Sequence, residues 1–225
     1  MKIIQLKLPG FDDYFVQEAF NVLRANIQFC GQDVKAIAVT SCGMNEGKTV
    51  LSLQMGKSLA ELGKRVLVID ADMRKSVMAV RNTDATNVIG LSEVLSGQVP
   101  LKDSIYKTQV ENLHIVFAGQ YPPDPVKLLN SSHFKKVIEV LSEVYDYIIV
   151  DSPPLGMVID AAVIAANCDS SIMVIGNKNI KYSQAQNVVS QLKKSGSNVL
   201  GVILNNASSK KRAYYSNKKQ YGYYN

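Results

Sequence analysis

The sequence predicts an α/β domain, a mostly parallel sheet flanked by helices. Three observations predict it. Short apolar runs recur along the chain, stretches of helical periodicity separate them, and polar or acidic residues follow the runs rather than interrupting them. Strands that read apolar throughout belong to sheets covered on both faces. An open sheet of this kind binds ligands at the carboxyl ends of its strands. Of the 225 residues, 47% are apolar and 20% charged, which supports a sizeable core and excludes a wholly disordered chain, a collagen-like repeat or a small disulfide scaffold.

Taken in order, residues 12–29 are expected to form an amphipathic helix, because Val16, Phe20, Leu23 and Ile27 fall on one helical stripe. Lys35 to Ser41 is the first buried strand. Gly47 to Leu62 carries Val50, Leu51, Leu53, Leu59 and Leu62 at helical spacing, with Gly63 as its stop. Arg65 to Ile69 is the second strand and Leu113 to Phe117 the third. A helical stretch from Pro125 to Val144 follows, broken and recapped at Ser131 or Ser132. Tyr147–Val150, Ile172–Ile175 and Val199–Leu204 complete six strands, with helical patterns at 158–166 and 183–194. Residues 1–206 read as one domain and 207–225 as a flexible, tyrosine-rich tail.

The strand ends carry the chemistry. The first runs into Ser41-Cys42-Gly43-Met44-Asn45-Glu46-Gly47-Lys48-Thr49. Gly-Lys-Thr between a strand and a helix is the strong half of a P-loop, although Cys42 stands where the first glycine is usual. Gly43, Met44, Asn45, Glu46 and Gly47 are thus expected to wrap a phosphate with backbone N–H groups. Lys48 would neutralise the β- and γ-phosphates and Thr49 would ligate Mg²⁺. A chance strand–turn–helix joint is the plainer alternative. The second strand ends in Asp70-Ala71-Asp72-Met73-Arg74, two carboxylates on one side of an extended chain that call for a cation, in part Arg74 and better a hydrated Mg²⁺ beside the loop; an ordinary surface loop is the alternative. The fourth ends in Asp151-Ser152-Pro153-Pro154, a Walker-B pattern whose carboxylate holds Mg²⁺. Together these imply a P-loop NTPase fold that binds ATP with Mg²⁺. Asn205, after the last strand, either faces the base or caps a turn. Asp160 is read as stabilising a helix end, and His114 and His133 as structural.

Charge and cysteine content bound the rest. The net charge is +6, but the stretch from Ser208 to Asn225 holds five cations and no acid, so the body is nearly neutral and nucleic-acid binding is not expected. Cys30, Cys42 and Cys168 show no metal-type spacing. No apolar run approaches the roughly 18 residues of a membrane span. Met1–Leu8 is too interrupted by Lys2, Gln5 and Lys7 for a signal peptide, and a cytoplasmic location is expected. Tyr214, Tyr215, Tyr221, Tyr223 and Tyr224 place five of eleven tyrosines in the last twelve residues. They suit a set of phosphate acceptors, a sticky terminus, or an RNA- or membrane-contacting tail.

The combination resembles the bacterial tyrosine kinase family, in its cytoplasmic form that regulates capsular or exopolysaccharide synthesis. The shared features are the relaxed loop at Cys42–Thr49, the Asp-x-Asp-x-Arg pattern at Val68–Arg74, the Asp-x-Pro-Pro pattern at Ile148–Pro154 and the tyrosine cluster. Gly90–Gly97 and Pro122–Pro125 resemble it too. The resemblance implies a P-loop fold related to the MinD and ParA ATPases, a catalytic set of Lys48, Asp70 and Asp72, a metal set of Thr49, Asp72 and Asp151, and phosphorylation of tails between subunits of a ring. Asp70 is then the candidate base, although it and Asp72 could exchange roles. It also implies protein substrates and a membrane partner that activates the kinase and recruits it to the inner face of the membrane. The family's Glu-x-x-Arg-x-x-Arg interface helix corresponds to Glu18, Asn21 and Arg24, with Asn21 replacing one arginine. The competing reading is a MinD- or ParA-like ATPase that controls membrane or DNA association.

Overall fold

A computed structural model describes residues 2–8, 13–31, 33–176 and 180–206. Its elements are β1 (Ile3–Ile4), α1 (Tyr14–Phe29), β2 (Ala36–Ser41), α2 (Lys48–Ala60), β3 (Val66–Asp70), α3 (Met78–Asn82), α4 (Leu91–Leu95), β4 (Ile105–Thr108), β5 (Leu113–Val116), α5 (Pro125–Leu129), α6 (Ser132–Val144), β6 (Tyr147–Asp151), α7 (Asp160–Ala165), β7 (Ser170–Ile175), α8 (Tyr182–Lys194) and β8 (Asn198–Leu204). The eight strands form one sheet in the order β1-β4-β5-β3-β6-β2-β7-β8. Every neighbouring pair is parallel except β4 and β5.

The central strands β2 and β3 are buried at every position, and β6 at all but its first, because each face meets a different core. Ile37 and Val39 of β2, Val66 and Val68 of β3, and Ile149 of β6 pack with Phe20 and Ile27 of α1 and Leu51, Leu53, Met55 and Leu59 of α2. The alternate residues Ala36, Ala38, Leu67, Ile69, Ile148 and Val150 pack instead with Phe134, Val137, Ile138 and Leu141 of α6 and with α7 and α8. The period of two is therefore present, but both phases are buried. The stripe Val16, Phe20, Leu23 and Ile27 does face the core. Helix α1 begins where Asp13 Oδ1 accepts Phe15 N and Val16 N, at 2.9 and 3.2 Å, a cap that contributes about 1 kcal/mol.

The expected break in the 125–144 stretch is present: it is two helices, and the second is capped by Ser131 Oγ, which accepts Phe134 N at 3.3 Å. Other expectations are revised. Strand β7 starts at Ser170, two residues early, because Ser170 and Ser171 are fully buried strand residues despite their hydroxyls. Strands β1 and β4 and helices α3 and α4 lack a readable signal: they span only two to five residues each. The tyrosines 214, 215, 221, 223 and 224 lie outside the described residues. No helix among the described residues is long and apolar enough to cross a membrane.

Candidate active site

Strands β3, β6 and β2 are neighbours, so three motifs scattered over 110 residues of chain meet at one edge. Asp151 lies level with Asp70 on one side and Val39 on the other. The loop after β2 therefore rises just past the two carboxylates. Within it Asn45 and Gly47 adopt left-handed backbone conformations, with φ of 59° and 86°. Gly47 is the N-cap of α2 and offers no side-chain cap, which leaves the first-turn N–H groups of that helix open to an anion. Lys48, the first residue of α2, is nearly buried.

A cleft of about 550 Å³ opens there, lined by Met44, Asn45, Gly47, Lys48 and Thr49 from the loop, Asp70 and Asp72 from the end of β3, and Pro154. Gly43, Glu46 and Asn205, expected to bind nucleotide, do not line it. Glu46 turns inward: its carboxylate accepts Gly43 N and, at 3.0 Å, Gly176 N. Asn205 Nδ2 donates to Glu46 O at 3.0 Å, and Asn205 Oδ1 accepts Asn206 N at 3.0 Å. The amide of Asn205 is thus engaged on backbone beneath the loop.

The acids differ in environment. Asp70 and Asp151 are almost fully buried, while Asp72 is half-buried. Burial, then the neighbouring Asp151 charge, pushes the Asp70 carboxyl well above the usual carboxylate range, against the pull of its hydrogen bond from Ser76 Oγ. Burial also raises Asp151, to about 7, although the Thr49 hydroxyl and the Lys48 ammonium oppose it. Asp151 Oδ1 has no hydrogen-bond partner among the described residues. An orphaned carboxylate oxygen beside a hydroxyl and an open phosphate loop fits a hydrated divalent cation. No group of three or more His, Cys, Asp or Glu side chains forms a ready cage among the described residues, so such an ion would depend on phosphate oxygens and water as well.

Arg74 corrects one expectation, and Asp160, at a helix start as expected, proves to have a partner elsewhere in the chain. The Arg74 guanidinium does not hold Asp70 and Asp72. It grips Asp160 with two bonds, Nε to Oδ2 at 2.8 Å and Nη2 to Oδ1 at 3.1 Å. Asp160 is fully buried at the start of α7, so it needs that cation. The pair straps the loop after β3 to the start of α7. Asp72 is held by this loop, with Oδ1 accepting Arg74 N and Lys75 N. The sequence does carry a signal for Asp160: an acid among Ile159, Ala161, Ala162 and Ile164 on an apolar helix must find a partner. Ser76, Lys75 and Arg81, which also line the cleft, had no sequence signal. At α1, Arg24 Nη1 donates to Ser58 O on α2 at 3.1 Å, while Glu18 is exposed and accepts Asn21 Nδ2 at 3.3 Å.

Comparison with known proteins decides the lineage. The profile of the AAA domain family matches residues 34–201. The chain is 42% identical over 198 residues to "Tyrosine-protein kinase CpsD" of Streptococcus agalactiae serotype Ia, covering 88% of this chain and 85% of that protein. It is 40% identical to the protein of the same name from Streptococcus pneumoniae serotype 4, covering 91% and 89%. This chain belongs to the bacterial tyrosine-protein kinases. The kinase fold superposes on the chimerical protein CapA2B2 with a TM-score of 0.82 at 27% identity, covering 89% of this chain and 88% of that one. MinD of Pyrococcus horikoshii, solved with Mg-ADP, follows at a TM-score of 0.65 and 30% identity, covering 79% and 73%. The tyrosine kinase therefore shares its fold with the P-loop ATPases.

Proposed function

We propose that this tyrosine kinase transfers the γ-phosphoryl group of ATP to the tail tyrosines Tyr214, Tyr215, Tyr221, Tyr223 and Tyr224 of a neighbouring copy. In this reading residues 1–206 are the catalytic domain and 207–225 the acceptor tail. The observation that carries it is the orphaned Asp151 Oδ1 beside Thr49, below a helix whose N-terminal N–H groups are open. Lys48 and the loop amides would stabilise charge on the transferring group. The tyrosine oxygen attacks phosphorus, the bond from phosphorus to the bridging oxygen of ADP breaks, and Asp70 takes the phenolic proton. Ser76 Oγ and Asp72 N, which both donate to Asp70, keep its carboxylate aimed. Thr49, Asp72 and Asp151 are the residues that would hold Mg²⁺, which when bound supplies positive charge against the β- and γ-phosphates.

The tail's five cations and lack of acid suit delivery to the carboxylates Asp70, Asp72 and Asp151, with Lys48, Lys75 and Arg81 beside them left to meet the phosphates. Each added phosphate brings about −1.5 to −2 charges, so phosphorylation would weaken that attraction and loosen a ring. Glu18 and Arg24 would serve the ring through α1, Arg24 by fixing that helix on α2. The kinase would act in the cytoplasm on capsule or exopolysaccharide synthesis, recruited by a membrane activator. The test is incubation of the purified protein and its activator with ATP and Mg²⁺, followed by peptide mapping. Label on the tail tyrosines, reduced by about 100-fold or more in Lys48→Met, is the expected result. ATP turnover without tyrosine labelling would overturn it and favour a MinD-like ATPase.

A further inference from the structure

The phosphate loop is held from outside its own motif. Glu46, fully buried, sits between the two left-handed residues Asn45 and Gly47. One of its carboxylate oxygens accepts Gly43 N, at the start of the loop, and the other accepts Gly176 N, just past β7. Its backbone carbonyl accepts Asn205 Nδ2, just past β8. Asn205 N in turn donates to Ile175 O at 2.8 Å, which ties the two strand ends together. The fit is close: a Cβ on Gly47 would lie 2.1 Å from Asn205 Nδ2, and one on Gly176 would lie 2.5 Å from Glu46 O.

We infer that Glu46 and Asn205 are positioning residues: through Gly176 and the end of β8 they preset the loop in the shape that receives phosphates. The inference rests on the reading of this loop as the phosphate site. A buried carboxylate costs free energy unless its oxygens are bonded, and here both are bonded to backbone on separate segments. The peptide around Glu46 is thereby fixed before ligand arrives, so the loop amides need no reordering on binding. The position of Asn205 beneath the loop also distinguishes this role from contact with a nucleotide base.

The experiment measures binding of Mg·ADP and of inorganic tripolyphosphate, which has no base, to the full chain and to Asn205→Ala and Glu46→Gln. Both ligands are expected to weaken together, by about 3–10-fold for Asn205→Ala, the loss of a neutral hydrogen bond, and by about 10-fold or more for Glu46→Gln. The KM for ATP should rise with kcat changed by less than about threefold, since the defect is in binding. Loss of Mg·ADP affinity with tripolyphosphate affinity intact makes Asn205 a base contact and overturns the inference, as does unchanged affinity for both. Should a variant fail to fold, amide exchange in the wild-type chain decides. Tripolyphosphate should slow exchange at Gly176 and Gly43, and unaltered exchange there refutes the tether. The binding and exchange readouts do not depend on tyrosine labelling, so the kinase reading stands or falls separately.

Discussion

Strand β6 is flanked by an aspartate at each end, and the two are treated oppositely. Asp146, at the amino edge of the sheet, accepts Arg65 N at 2.8 Å and Arg65 Nη2 at 3.4 Å. The backbone bond and the guanidinium hold its carboxyl below the usual range. Asp151, five residues on, is buried beside Asp70, is pushed up to about 7, and keeps one oxygen unbonded. Asp169 repeats the first pattern at the amino edge, where its Oδ2 accepts Lys35 N and Ala36 N at 2.9 and 2.7 Å. The amino edge is a finished joint, while at the carboxyl edge two buried carboxylates, Asp70 and Asp151, lie side by side and Asp151 Oδ1 is left unbonded. Such an arrangement costs stability.

That contrast can be broken at several points. The largest effect should come from Asp151→Asn, which removes the negative charge the carboxyl edge offers to a cation. Phosphotransfer to tyrosine should fall about 100-fold or more in a radiolabel assay. Next is Arg74→Ala, which strands the fully buried Asp160. Arg74 is one-third exposed, so water softens the loss, and about 2–3 kcal/mol is expected in denaturant unfolding. Arg74→Leu with Asp160→Asn should recover part of it.

Asp146, just before β6, and Asp151, at its end, should then show opposite signs. With nucleotide absent and metal chelated, Asp151→Asn should stabilise the fold by about 1–2 kcal/mol, because a buried repulsion is relieved. Asp146→Asn should destabilise it by less than about 1 kcal/mol, as expected of a partly exposed pair. A matching sign for the two in thermal melts would erase the distinction between the edges.

The smallest effect concerns His114, whose Nδ1 lies 2.8 Å from Tyr145 Oη. Burial, then the Lys107 charge, lowers its pKa below the ordinary 6.5. The unfolded chain then binds a proton that the fold resists, so stability should decline as pH falls below about 6.5 and level off below the folded pKa. His114→Phe should flatten that decline in melts across pH 5–8. An unchanged slope would mean that other groups cause it.

Legibility in the sequence followed locality. Gly47-Lys48-Thr49, Asp70, Asp72 and Asp151 were readable because each follows an apolar run long enough to identify as a strand. Their convergence was inferred from the general rule for open sheets, and the order β3-β6-β2 realises it. Strand β4 was not readable, since it is short and one of its positions faces solvent. Its antiparallel pairing with β5 is set by a tight connection rather than by composition.

What the sequence determined by itself was the alternation of buried strands with helices and the placement of Gly47-Lys48-Thr49, Asp70 and Asp151 at three strand ends, because hydrophobic period and turn residues act over a few neighbouring positions. What only the tertiary structure decided was partnership. Arg74 finds Asp160 across 86 positions, Glu46 finds Gly176 across 130, and Asn205 finds Glu46 across 159. Such pairs depend on how strands are ordered in the sheet, and that order is fixed by burying two apolar faces at once, a property of the whole chain that no local window contains.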